Sequence, residues 1–191
     1  MAVSLLIRLL FWLWFGGALA AGHFLILQRV SALALPALTL FLAAIPVLAY
    51  LRVEAIRTWV DALDLRALVL LHVTRFTAIY LLVLHQRGEV PRALVVPGAL
   101  GDIIVAVMAL PVAFAPLADA ARHRAIVIWN VVGFVGLLLA QFSVARLALS
   151  APVEVRGLTQ LPLSLLPTFL VPLLLASHVV IFARTGRAAR P

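Results

Sequence analysis

The sequence predicts an all-α fold: a polytopic membrane protein, a six-transmembrane-helix bundle with a short interfacial amphipathic helix. Three observations predict it. Of 191 residues 65% are hydrophobic and 12% charged, against about 25% charged in a soluble domain. Mean hydropathy is +1.19. Apolar runs long enough to cross the hydrocarbon recur along the whole chain, not once at one end.

A span needs about 20 apolar residues, and such runs lie at roughly 4–27, 32–51, 67–86, 97–117, 125–149 and 161–183. The first, "MAVSLLIRLLFWLWFGGALAAG", carries Arg8 and an Ala18-Leu19-Ala20 stretch that resembles a signal-peptide cleavage site. Its apolar character continues past His23 to about Leu27, so a transmembrane helix is the expectation. In it Gly17 with Ala21, and Ala18 with Gly22, form small-residue pairs that let a neighbouring helix approach closely.

Between the second and third spans lies "RVEAIRTWVDALDLR", residues 52–66. Val53, Ile56, Trp59, Val60 and Leu63 recur at helical spacing, with Arg57, Asp61 and Asp64 off that face. This predicts a short amphipathic helix on the membrane surface. The remaining connections are short, so consecutive spans are expected to be antiparallel neighbours. No internal repeat, low-complexity tract or linker interrupts the chain, which reads as one transmembrane domain, 1–191. The sixth span, "LPLSLLPTFLVPLLLASH", holds Pro162, Pro167 and Pro172. It is expected to be kinked or locally unwound, with Ser164 and Thr168 available to freed backbone groups.

The net charge of +8 comes from basic residues that are all arginine and scattered at segment ends. That pattern fits membrane topology and not nucleic acid. Arg8, Arg52, Arg57, Arg66, Arg122, Arg124, Arg184, Arg187 and Arg190 fall on one side, against Arg29, Arg87, Arg92, Arg146 and Arg156 on the other. The bias predicts a multi-pass membrane protein with both termini cytoplasmic. The absence of cysteine excludes disulfides, thiolate metal sites and thiol redox chemistry, quinone-linked disulfide oxidases among them.

Arg75 in "LVLLHVTRFTAIYLLVLHQRGEVP" is the sharpest feature. An arginine at the bilayer centre costs about 2.5–3.5 kcal/mol on insertion scales, so it should face the interior and find acceptors. Asp102, in "VVPGALGDIIVAV", is the expected partner, about five residues inside the opposite face and so several ångströms from the depth of Arg75, a gap that arginine's long stem can close. His72 precedes Arg75 by three residues and projects from nearly the same face. Asn130 on the fifth span and His178 on the sixth are expected at similar depth, and Thr168 on the broken helix. The candidate ligand-binding set is therefore His72, Arg75, Asp102, Asn130, Thr168 and His178, around a polar pocket open toward the cytoplasm.

Paired histidines suggest a second chemistry, haem b held by His72 with His178, or by His23 with His85. His72 and His85 are thirteen residues apart, which turns them about 140° from one another on a helix and does not suit two stacked haems. No HExxH, GxSxG or phosphate-binding glycine loop occurs, no histidine cluster has zinc spacing, and no catalytic residue stands out.

"RALVVPGALGDIIVAV", "WNVVG" and "LPLSLLPTFLVPLLLASH" together resemble a family of small bacterial membrane proteins without an assigned function, over roughly residues 66–184, and the resemblance implies a protein of the bacterial inner (cytoplasmic) membrane. In size and helix number the chain is also similar to the substrate-binding components of energy-coupling-factor transporters, a likeness of architecture alone. The leading expectation is a protein that binds or transports a small, anionic or amphipathic solute, needing no cofactor. A haem-binding electron carrier is the alternative. The third is a structural or accessory subunit, paired with another membrane protein or with its own copy. An enzyme is not the expectation.

Overall fold

The computed structural model describes residues 2–188, so Arg190 lies outside the described residues. Among the described residues there is no strand. Six helices are long and apolar enough to cross a membrane: Val3–His23, Ala34–Arg52, Leu65–Gln86, Arg92–Phe114, Asp119–Ser150 and Leu166–Arg187. The all-α polytopic class expected from the sequence is the class found. Side chains such as Leu13, 73% exposed, and Phe142, 67% exposed, face outward from these helices. Lipid, unlike water, is the solvent in which such a surface is stable.

The chain gathers into two compact units, one joining the residues up to Ala62 with Val144–Ala176, the other joining Leu63–Ser143 with the residues from Ser177 onward.

In the first unit, α1 (Ala2–His23) stops before the residue 27 expected. Leu25 adopts a left-handed conformation, φ 55°, which ends a helix, and a 3-10 turn, Ile26–Arg29, follows. Gly22 lies against Ser164 and Leu161, too close for any Cβ, whereas Gly17 has open space around it. The close approach expected of the small residues thus occurs at one of the two pairs. Helix α2 (Ala34–Arg52) leads into α3 (Glu54–Asp61), the expected amphipathic segment. Ile56, Trp59 and Val60 are half-buried while Glu54 and Thr58 are exposed. The buried Tyr50 donates its hydroxyl proton to Asp61 Oδ1 at 2.9 Å, which ties α3 back to α2.

The last span starts at Leu166, not 161. Proline has no N–H to give and is tolerated in a first turn, where Pro167 sits, so the helix begins around it. Pro172 falls further in and cannot donate to the carbonyl of Thr168. Here the helix widens into a π turn, Leu166–Leu170, ahead of α8 (Val171–Ala188). Trp14 Nε1 donates to the Thr168 carbonyl at 2.8 Å. The Thr168 hydroxyl in turn donates to Ser164 O at 2.6 Å, the backbone role expected of it. Ser164 Oγ makes no hydrogen bond among the described residues. Phe169, from the same turn, is ringed edge-on by Phe11, Trp14 and Phe15 at 5.3, 5.1 and 5.0 Å between centroids.

In the second unit the third span is not one helix. Asp64 caps α4 (Leu65–Leu71) by accepting from Arg66 N at 2.9 Å. A 3-10 segment, His72–Thr77, interrupts it before α5 (Ala78–Gln86). The fourth span, α6 (Arg92–Phe114), starts five residues before the expected 97. Pro91 caps it, and Pro97 early in the helix removes one backbone bond without setting the boundary. Arg122 closes the connection to α7 (Asp119–Ser150), donating to the carbonyls of Ala113, Ala115 and Leu117 at 3.3, 3.0 and 3.2 Å. Val69, Val105, Ala109, Ala113, Trp129 and Ile181 form the core that holds these helices together.

Candidate functional site

The 3-10 segment sets the geometry of the site. With three residues per turn, side chains at i and i+3 eclipse, so His72 and Arg75 project in one direction. Arg75 lies ten residues from Leu65 and eleven from Gln86, the middle of its span. Asp102 lies ten residues from Arg92 and twelve from Phe114, also the middle. The depth difference expected between them disappears because α6 starts earlier.

The ion pair forms. Arg75 Nη1 donates to Asp102 Oδ1 at 3.0 Å, and Arg75 Nη2 donates to Gly133 O at 3.1 Å and meets His178 Nε2 at 2.6 Å. A guanidinium carries only donors. His178 Nε2 is therefore the acceptor, and the ring's proton sits on Nδ1. That proton is donated to Asn130 Oδ1 at 2.7 Å. The Asn130 amide then donates to the backbone carbonyl of His178 at 3.1 Å. Every donor and acceptor in the series Asp102–Arg75–His178–Asn130 follows from this one constraint.

A second strand of contacts runs beside it. His72 Nε2 and Ser177 Oγ are 2.9 Å apart, while the His72 ring lies 4.2 Å from the His178 ring and meets Trp129 edge-on at 4.9 Å. Trp129 is fixed in turn, Nε1 donating to Val105 O at 3.0 Å. Consecutive residues thus carry both strands of contacts, Ser177 meeting His72 and His178 meeting Arg75. Two buried nitrogens, His72 Nδ1 and Arg75 Nε, have no hydrogen-bond partner among the described residues.

Burial divides the group. His72, Asn130 and His178 are 0% exposed and Arg75 1%, whereas the Asp102 side chain is 21% exposed. Asp102 is the one partly exposed end of the series.

Of the six expected ligand residues, five come together in the second unit: Arg75, Asp102, Asn130 and His178 by direct hydrogen bonds, and His72 by its ring contact with His178. Thr168 belongs to the first unit, its hydroxyl engaged by Ser164. Haem between His72 and His178 does not fit: the rings touch, and both Nε2 atoms are turned to other partners. His85 donates from Nδ1 to Val90 O at 2.9 Å, which closes a loop, and His23 is exposed. No cluster of three or more metal-ligating side chains occurs among the described residues.

Gly133 was not expected to matter. A Cβ there would stand 2.7 Å from His178 Cε1 and 3.1 Å from Val105 Cγ1. Its bare Cα admits the imidazole, and its carbonyl accepts from Arg75. The available signal was a glycine three residues after Asn130, one helical turn along the same face, in "WNVVG".

No curated protein and no solved structure matches the chain. Residues 17–185 match the family described as a domain of unknown function (DUF8737), and the chain belongs to that family.

Proposed function

We propose that this is a membrane-embedded protein that binds a small anionic solute at Arg75 and carries it across the bilayer. The observation behind this reading is a guanidinium at mid-span, 1% exposed, whose carboxylate partner, Asp102, is 21% exposed. Intramembrane ionisable groups are costly and mark solute or ion pathways. A buried ion pair is a poor stabiliser beside an apolar pair of the same volume. In this reading Asp102 holds the place of the solute's own anionic group until the solute arrives, with His178, Asn130, His72 and Ser177 fixing the guanidinium in position.

The membrane proposed is the bacterial inner membrane, on the resemblance of residues 66–184, with both termini cytoplasmic on the arginine bias. Reporter fusions after Arg187 and within Glu54–Asp61 should then report cytoplasm, and one at Glu89 the opposite side.

The test is uptake by proteoliposomes of radiolabelled lactate, succinate and inorganic phosphate. The comparison is with the double variant Arg75→Leu/Asp102→Leu, which removes both charges together. The wild type should accumulate at least one of these solutes above empty liposomes, and a folded double variant should not. Equal uptake by both, or none by either, would instead favour an accessory subunit whose polar groups serve only helix packing.

A further inference from the structure

Asp102 makes a single hydrogen bond, through Oδ1, leaving Oδ2 without a partner among the described residues, and it alone of the site's members is partly exposed. The charged groups around it are few. From the third span Arg75 contacts it directly, while His72 is engaged with Ser177, Tyr80 is exposed and His85 bonds Val90. From α8, His178 reaches it only through Arg75. On α7, Asp119, Arg122, His123 and Arg124 lie in the first two turns, and Gly133 offers only a carbonyl. Among the described residues of the second unit, the charge balance at mid-span is therefore set by Arg75 and Asp102.

That balance restricts what can bind. With Asp102 ionised and Arg75 charged the site is neutral. A monovalent anion added alone leaves it negative, and a proton added alone leaves it positive; either state holds a net charge in a low dielectric. A proton and an anion together restore neutrality: the proton occupies the free Oδ2 of Asp102, and the anion takes the guanidinium that the neutral carboxylic acid no longer holds as tightly. Arg75 Nε, now unpartnered, and Nη1 are the donors left for it. Because Nη1 already holds a carboxylate oxygen at 3.0 Å, a small carboxylate is the matching ligand class.

We infer that Asp102 is a proton-binding site coupled one-to-one to a monocarboxylate at Arg75, which makes the protein an electroneutral proton–anion symporter. This rests on the reading of Arg75 as the anion site. Coupling is reciprocal: each ligand raises the affinity for the other by the same factor.

The experiment uses the purified full chain in nanodiscs with formate as probe, and sodium chloride as the ionic-strength control. Calorimetry in two buffers of different ionisation enthalpy counts the protons taken up. The wild type should take up one proton per formate, its affinity falling about tenfold per pH unit once Asp102 is ionised. Asp102→Asn, a neutral side chain of the same shape, should bind formate at least tenfold more tightly than the wild type at pH 7.5, with no pH dependence and no proton uptake. Dicyclohexylcarbodiimide, which attacks protonated carboxyls in apolar surroundings, should label Asp102 at low pH, and formate should widen the pH range of labelling. Formate binding without proton uptake would overturn the coupling and leave the anion reading standing. Labelling at Asp102 with no formate binding to either protein would overturn both. If Asp102→Asn does not fold, the wild-type proton count decides alone.

Discussion

His178 Nε2 lies 2.6 Å from a guanidinium nitrogen of Arg75, so the imidazole accepts from a cation that can only donate. One proton position then propagates: Nδ1–H points at Asn130, and the Asn130 amide is oriented by both that contact and the His178 carbonyl. The site is held by hydrogen-bond direction as much as by charge.

Replacing Asn130 tests that direction. Asn130→Leu is close in size but offers no acceptor, leaving His178 Nδ1–H buried without a partner. Such a loss costs about 1–3 kcal/mol. Thermal unfolding in detergent should show a fall in Tm. Asn130→Asp should not restore stability, because it adds a second carboxylate to a site whose charge is already balanced. An unchanged Tm in Asn130→Leu would mean that the amide does not orient the ring.

Two glycines on one helix give opposite expectations. Alanine is favoured over glycine inside a helix by about 1 kcal/mol. At Gly136 nothing lies within 4 Å of the added methyl, so Gly136→Ala should be neutral or stabilising. At Gly133 the methyl would stand 2.7 Å from His178 Cε1, and Gly133→Ala should destabilise by about 1–3 kcal/mol as the ring is pushed off Arg75. Thermal unfolding of both variants side by side separates steric fit from helix propensity. If the two behave alike, the close packing of His178 on α7 is not what Gly133 provides.

The π turn in the last span makes a prediction of its own. Trp14→Phe keeps a ring beside Phe169 but removes the N–H that reaches the Thr168 carbonyl. A loss of about 1–2 kcal/mol is expected for the orphaned carbonyl. Trp12→Phe, at a position 63% exposed, should change little by the same measurement.

How much of this the sequence carried depends on what kind of signal each feature leaves. The six spans and α3 were legible because hydropathy over twenty residues, and apolar spacing over eight, are local properties. The ends were not. Leu25 turns left-handed and α6 extends back through Pro97 to Arg92, neither of which shows in the hydropathy of the surrounding residues. Arg75, Asp102, Asn130 and both histidines were legible since polar groups in hydrocarbon are few and must find one another. Gly133 was not, because its contribution is a missing side chain. Nor was the 3-10 segment at His72–Thr77, whose residues read as ordinary helix, although it is what aligns His72 with Arg75. Ser177 passed unnoticed beside His178, since nothing in its own neighbourhood points to His72.

The energetic link between Arg75 and Asp102 is the prediction on which the others lean. Arg75→Leu leaves a carboxylate at mid-span without its cation. Asp102→Leu leaves a guanidinium that is 1% exposed without its anion. Breaking a buried pair from one side costs about 3–5 kcal/mol, because the remaining charge is uncompensated. The two losses should differ. Asp102 is 21% exposed and can take up a proton, so Arg75→Leu should be the milder change, and the gap should narrow as pH rises and that proton is lost. The double apolar variant removes both charges and their desolvation together, so it should regain most of the stability lost by either single change. A double-mutant cycle by thermal unfolding measures this directly. An interaction term of at least 2 kcal/mol is expected from direct contact between charged groups, whereas independent sites add to within about 0.5 kcal/mol. Strict additivity would show that the 3.0 Å contact carries no coupling, and Arg75 would then have to be stabilised by Gly133 and His178 alone.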